Sequence, residues 1–151
     1  EKMGFGRAIA APQVGHSIRM VALNLGGDKI TMFNPIITAT SSETFTMWDD
    51  CLSFPDLMVS VRRFKSVSIS FLDANGDERT WTNCPQDLSE LLQHEIDHLN
   101  NILALDLAER PSKLSLFATP EIGTAAVTNT VSRKEWLARK EYYNSLVDFG
   151  Y

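Results

Sequence analysis

The segment LLQHEIDHLNN, residues 91–101, carries two of the chain's three histidines, His94 and His98, with Glu95 directly after the first. Residues four apart lie on the same face of a helix, so both imidazoles can bind one metal ion. Glu95 would lie on the neighbouring edge, within reach of a water on that metal. The spacing His-Glu-x-x-His therefore predicts a catalytic metal site. The alternative is two surface histidines on an amphipathic helix.

Two histidines leave a catalytic metal short of a third protein ligand. No histidine follows His98, which excludes the metzincin pattern, and no helical pattern supports an acid after Leu99 as the ligand. Upstream, the segment WDDCLSFP places Cys51 beside two acids. A thiolate is a strong ligand for Zn²⁺ or Fe²⁺. The alternative for Cys51 is a small buried apolar side chain.

Length and composition are those of one globular domain, residues 1–151, with 44% apolar and 22% charged residues. The net charge is −5 and no Lys/Arg cluster is present, so no nucleic-acid partner is expected. No apolar run could span a membrane, so no membrane partner is expected either. Two cysteines, Cys51 and Cys84, form no disulfide framework and indicate a reducing compartment. We expect the cytoplasm, or an organelle if a targeting segment precedes Glu1.

The coarse pattern is strands first and helices later. Two β-rich runs, 19–25 and 30–40, flank a Gly-Gly turn and suggest a hairpin. Residues 66–72, an Asn-Gly turn and the returning run 79–83 predict a second hairpin or two strands of a small mixed sheet. Helical spacing starts at Asp87, a candidate N-cap or first-turn residue. A last helix is expected over 132–147, opened by a Ser-x-x-Glu capping box. Residues 111–130 are expected to be loop, and Cys84 to be structural.

Three segments, in this order, resemble motifs of the peptide deformylase family. They are GRAIAAPQVG (6–15), DDCLS (49–53) and QHEIDHL (93–99), which resemble G-x-G-L-A-A-x-Q, E-G-C-L-S and Q-H-E-x-D-H-L. The resemblance extends over residues 4–107. With the element pattern it implies an α+β fold, in which small mixed or antiparallel β-sheets pack around a central His-Glu-x-x-His helix, with a C-terminal helix.

The resemblance also implies the composition of the metal centre. Cys51, His94 and His98 would hold one divalent ion, Fe²⁺ in many members of the family, with Zn²⁺ or Ni²⁺ as substitutes. Glu95 would take a proton from the attacking water and pass it to the leaving amine.

Three further residues take roles from the same resemblance. Gln13 and the backbone N–H of Leu52 would donate to the oxyanion. Arg63 matches an arginine beside the peptide part of the substrate. The alternatives are a surface loop residue for Gln13 and a solvated strand residue for Arg63.

The chain departs from the family pattern at several glycine positions. Ala8 and Asp50 stand where glycines are expected in the first two motifs, and Asn101 replaces the glycine after the third. Asp49 replaces a glutamate. Ala8 and Asp50 add side chains where a substrate would approach the backbone. The residues expected to bind substrate are Gly6, Arg7, Ala8, Asp50, Arg63, Glu90 and Leu91.

Two departures concern the pocket for the methionine side chain. Arg7 and Glu90 stand where the family carries apolar residues, and Glu90 lies one turn before His94 on the same helix face. A lone buried carboxylate is costly, so we expect Arg7 and Glu90 to pair across the pocket. The alternatives make Glu90 a hydrogen-bond acceptor for His94 or place it in solvent.

The sequence thus favours a hydrolase that removes the N-formyl group from formylmethionyl peptides, with nascent chains on the ribosome as one source. An alternative is the same chemistry on another N-formyl or N-acyl substrate, because of Arg7, Ala8, Asp50 and Glu90. A zinc endopeptidase is a further alternative, weakened by Cys51, since such enzymes use a histidine or carboxylate as third ligand. A catalytically silent binding protein would not need the complete catalytic set.

Overall fold

The computed structural model describes residues 7–109, 111–112 and 129–149. Two compact units are distinguished, Glu1–Glu43 with Phe64–Leu103, and Thr44–Arg63 with Ala104–Tyr151. They are called the first and second unit below. Gly6 and most of the predicted loop at 111–130 lie outside the described residues. The single domain over residues 1–151 stays a prediction.

Among the described residues most strands precede the α-helices along the chain, which is the arrangement of an α+β fold. The strands are β1 Ala8–Ala10, β2 Met20–Leu25, β3 Asp28–Thr40, β4 Thr44–Asp50, β5 Leu57–Phe64, β6 Val67–Leu72, β7 Glu78–Trp81 and β8 Thr130–Ser132. The helices are α1 Gln86–Leu99, α2 Arg133–Ala138 and α3 Lys140–Ser145, with short 3₁₀ turns at Ala11–Val14 and Ala104–Leu107. Among these described helices none is long and apolar enough to cross a membrane.

The first unit is built on a five-stranded antiparallel sheet in the order β1-β2-β3-β6-β7. Both predicted hairpins are confirmed. Gly26 and Gly27 have φ values of 68° and 115°, as a two-residue turn between twisted strands requires. The apolar side of α1 packs into the core of this unit, where the helix contributes Leu91, Leu92, Ile96 and Leu99.

Helix α1 begins after Pro85, so Asp87 is a first-turn residue and the N-cap alternative is wrong. Its C-terminus is closed by a Schellman motif. The Ile102 N–H donates to the Asp97 carbonyl (2.9 Å) and the Asn101 N–H to the His98 carbonyl (3.2 Å). Asn101 takes the left-handed conformation, with φ of 60°. Asparagine tolerates this region, which explains how it can stand in a glycine position.

The second unit contains the three-stranded sheet β4-β5-β8. The predicted single helix over 132–147 is wrong: the structure has two short helices there, α2 and α3. Ser132 caps α2 as predicted, accepting from the Glu135 N–H at 3.1 Å. The backbone leaves the helical region at Arg139 (φ −132°, ψ 35°).

Tertiary packing explains this break in the helix. Trp136, Tyr143 and Leu146 all enter one core cluster with Trp48. The indole N–H of Trp48 donates to the Tyr143 carbonyl at 2.8 Å. The change of direction at Arg139 lets both short helices present aromatic side chains to this cluster, which helical propensity does not reveal.

The Asn101 conformation gives a first prediction. Asn101→Val should lower the free energy of unfolding by about 1–2 kcal/mol, because a β-branched residue is strained in the left-handed region. Asn101→Gly should leave it unchanged or higher. Urea unfolding measures both. Thr82→Val, at an exposed position without positive φ, is the matched control. An equal loss in Asn101→Val and Thr82→Val would contradict the prediction.

Candidate metal centre

His94 and His98 are buried on one face of α1, with 7% and 5% of their surface exposed. Their Nε2 atoms lie 3.1 Å apart. Two nitrogens bound at about 2.0–2.1 Å to one tetrahedral ion would lie about 3.3–3.4 Å apart. The observed separation is therefore close to that of two ligands on one ion. The alternative of two surface histidines is wrong.

Glu95 is buried as well, with 3% of its surface exposed. A carboxylate taken out of water needs a partner of opposite charge or several donors. Its position directly after His94 places it on the adjacent edge of the helix. Its proton-transfer role stays a prediction.

Gln93, directly before His94, anchors the helix to the backbone, a role not assigned from the sequence. Its Oε1 accepts from the Phe64 N–H and its Nε2 donates to the Phe64 carbonyl, both at 2.9 Å. Nε2 also donates to the Ser89 carbonyl at 3.0 Å. These bonds fix the rotation of α1 about its axis. The sequence signal that could have indicated this role is the polar side chain of Gln93 at a buried position of the motif.

Arg19 holds the other end of α1 and was also missed. Its Nη1 donates to the Leu99 carbonyl (2.8 Å) and to Asn100 Oδ1 (2.9 Å). A cation at a helix C-terminus is favourable because the last carbonyls are unsatisfied and the helix dipole is negative there. Arg19 is 80 residues away from Leu99 in the chain, so no local pattern indicates this contact.

The predicted pairing of Arg7 with Glu90 is confirmed. An Arg7 Nη2–Glu90 Oε1 ion pair joins the start of the first unit to α1, and Arg7 Nη1 also approaches the Asp87 carbonyl at 3.4 Å. Glu90 is 3% exposed, so the alternative that it lies in solvent is wrong. Its role as an acceptor for His94 stays open. Leu91, 8% exposed, lies beside it on the helix.

Gln13 lies in the 3₁₀ turn that follows β1. Its Oε1 accepts from the Ala10 N–H at 2.9 Å, which fixes the orientation of the amide. The Nε2 end is then the donor, as an oxyanion would need. Ala8 lies in β1, paired with Leu23 of β2. The roles of Gln13, Ala8 and Leu52 stay predictions.

Cys51 belongs to the second unit, directly after β4, and is 3% exposed. Its sulfur accepts from the Ser53 N–H at 3.4 Å, and its carbonyl accepts from the Phe54 N–H at 3.1 Å. These two contacts hold the Cys51 side chain in a tight turn, and its role as a metal ligand stays a prediction.

Both acids before Cys51 are paired with arginines. Asp49 Oδ2 and Arg63 Nη2 lie 2.9 Å apart, and both side chains are about 95% buried. Asp50 Oδ2 accepts from Arg133 Nη1 at 2.8 Å. The alternative that Arg63 is a solvated strand residue is wrong, whereas its contact with substrate stays a prediction. Asp50, expected to bind substrate, is linked to the start of α2.

The predicted ligands are one thiol, Cys51 of the second unit, and two imidazoles, His94 and His98 of the first unit, and each of the three is buried. These donors suit Zn²⁺ and Fe²⁺ rather than the oxygen-preferring Mg²⁺ or Ca²⁺. The chemistry of the donors therefore fits a transition metal.

Comparison with known proteins identifies the family. The model of the polypeptide deformylase family matches residues 1–114. The chain belongs to the polypeptide deformylase family. Two relatives named peptide deformylase, from Thermotoga neapolitana and Treponema pallidum, are 34% and 39% identical over 74% and 67% of this chain. A crystal structure of a peptide deformylase from Synechococcus elongatus, in complex with actinonin, aligns with a TM-score of 0.66 at 33% identity over 69% of the chain.

The chain spans 67%, 62% and 57% of the length of these three proteins. The family match ends at residue 114, so β8, α2 and α3 lie beyond it. The α+β fold expected from the resemblance is confirmed. The polypeptide deformylase family is metal-dependent, which agrees with the thiol and imidazole side chains that this chain offers as ligands.

The buried pair beside Cys51 gives a second prediction. Arg63→Met should lower the free energy of unfolding by about 3–5 kcal/mol, because it leaves the buried Asp49 carboxylate without its guanidinium. The neighbouring Arg62 pairs with Glu109 at the surface, both about 45% exposed. Arg62→Met should therefore cost only about 0–1 kcal/mol. Denaturant unfolding compares the two variants.

Asp49→Asn in the Arg63→Met background tests the cause. Removing the second charge should restore part of the stability, because no uncompensated carboxylate then remains. If Asp49→Asn instead lowers stability further, the buried charge does not explain the loss.

Proposed function

We propose that this chain is a metal-dependent hydrolase that removes the N-formyl group from formylmethionyl peptides. The observation that carries the proposal is the buried pair His94 and His98, 3.1 Å apart at Nε2, with buried Glu95 on the same helix of a deformylase-family chain. Two nitrogen ligands and an adjacent general base are the parts that amide hydrolysis by an activated water needs.

Cys51, His94 and His98 would hold the ion, Fe²⁺ or Zn²⁺, with Ni²⁺ as a substitute. When bound, the ion polarises the formyl oxygen and makes water acidic enough to react near neutral pH. The sulfur ligand separates this set from that of zinc endopeptidases, whose third ligand is a histidine or carboxylate. That difference favours a deformylase over an endopeptidase.

Glu95 would act as the general base and then as the general acid. Its carboxylate accepts one proton from the attacking water while the water oxygen bonds to the formyl carbon. The same proton then passes to the peptide nitrogen as the C–N bond breaks, releasing a free amine and formic acid, which ionises to formate in water. Burial of Glu95 supports this role, because it keeps bulk water away from the proton that is transferred.

Gln13 and the Leu52 N–H would stabilise the charge that develops on the formyl oxygen. The Gln13 amide is held by the Ala10 N–H, so its donor end costs little reorganisation when the substrate binds. Formylated peptides, including nascent chains, are the proposed substrates, and the cytoplasm the proposed location.

A direct assay tests the proposal. Protein with its metal quantified should release formate from formyl-Met-Ala-Ser, and Glu95→Ala should reduce kcat by about 10²–10⁴-fold, because the general base is lost. Glu109→Ala, an exposed glutamate in a surface ion pair, should retain activity. Formate release of equal rate in Glu95→Ala would exclude Glu95 as the base.

Metal content provides an independent prediction. The purified protein should bind one divalent ion per chain by elemental analysis, and His98→Ala or Cys51→Ser should lose most of it. His16→Ala, the exposed third histidine, should not. Glu95→Ala should also keep the ion, since it supplies no ligand. Full metal content in His98→Ala would contradict the proposed ligand set.

A further inference from the structure

We propose that the Arg7–Glu90 ion pair selects the side chain of the formylated residue, and that it favours a polar side chain over an apolar one of equal length. This inference rests on the proposed function. It concerns the part of α1 one turn before the first histidine, to which neither the metal centre nor proton transfer assigns a role.

The first argument is position. Glu90, His94 and His98 are spaced by four and share one face of α1. Helical side chains lean towards the helix N-terminus, so the imidazole of His94 lies over the turn that carries Glu90. A formyl group bound beside the two imidazoles brings the following side chain within about one helical turn, roughly 5 Å, of this pair.

The second argument is the unequal burial of the two charges. The Glu90 side chain is 4% exposed, whereas the Arg7 side chain is 43% exposed. The guanidinium is therefore the half that an incoming molecule meets. It has five N–H donors, and the described residues accept from two of its nitrogens, through Glu90 and the Asp87 carbonyl.

The third argument is the cost of removing water from this guanidinium. A thioether that covers it displaces water and offers only a very weak acceptor in return. A side-chain amide of similar length offers a carbonyl oxygen that accepts from the guanidinium. Glutamine matches methionine in length, so this pair of residues isolates polarity from size.

The test compares formyl-Gln-Ala-Ser with formyl-Met-Ala-Ser by formate release. In the unmodified chain, kcat/KM for the glutamine peptide should equal or exceed that for the methionine peptide. In Arg7→Leu/Glu90→Leu the ratio should shift towards methionine by about tenfold or more, as a site does when it loses polar partners. The shift should appear mainly in KM if the pair contacts only the side chain.

Matched controls keep the test decisive. Arg62→Leu/Glu109→Leu removes an exposed ion pair and should leave the ratio unchanged. If the Arg7→Leu/Glu90→Leu variant does not fold, Arg7→Leu/Glu90→Gln removes the guanidinium, leaves no buried charge at position 90, and should shift the ratio in the same direction.

The outcomes separate the two proposals. A strong preference for methionine in the unmodified chain, unchanged in the variants, overturns the inference and leaves the proposed function intact. No formate from either peptide, with the metal present, overturns the proposed function and the inference with it.

Discussion

The candidate centre depends on keeping a polar helix inside the protein. Helix α1 buries Gln93, His94, Glu95 and His98 along with its apolar residues. Buried polar groups are costly unless each is bonded, so such a helix cannot rely on its apolar stripe alone. Its orientation is fixed by directed contacts, above all the bonds of Gln93 with the Phe64 backbone.

The two ends of α1 are fixed in different ways. At the C-terminus, the Schellman motif and Arg19 satisfy carbonyls that would otherwise have no partner within the helix. Near the N-terminus, Arg7 reaches both the Asp87 carbonyl and the Glu90 carboxylate. His94 and His98 therefore lie on a helix whose two ends are both fixed by hydrogen bonds. This preorganises their imidazole nitrogens.

The two acidic residues before the Cys51 thiol each form an ion pair with an arginine. Asp49 and Asp50 precede Cys51, and two unpaired acids would oppose a thiolate by repulsion. Arg63 and Arg133 neutralise them, the first in a buried pair and the second in a half-buried one. Asp50 stands where the resemblance to the family led us to expect a glycine, and Arg133 lies beyond the family match, which ends at residue 114. The extra carboxylate of Asp50 is therefore neutralised by Arg133, a residue from the C-terminal part of the chain.

The sequence by itself determined the family of this protein and the positions of the candidate metal ligands. Three features could be predicted from local sequence: the shared helix face of His94 and His98, the hairpin turns and the Arg7–Glu90 pair. The first two follow from periodicity and turn residues. The third follows from a carboxylate at a position expected to be buried. Only the tertiary structure decided which distant groups support the site. The Arg19 cap, the Gln93 anchor and the break at Arg139 depend on residues far apart in the chain or on packing, which override local propensity and leave no periodic signal.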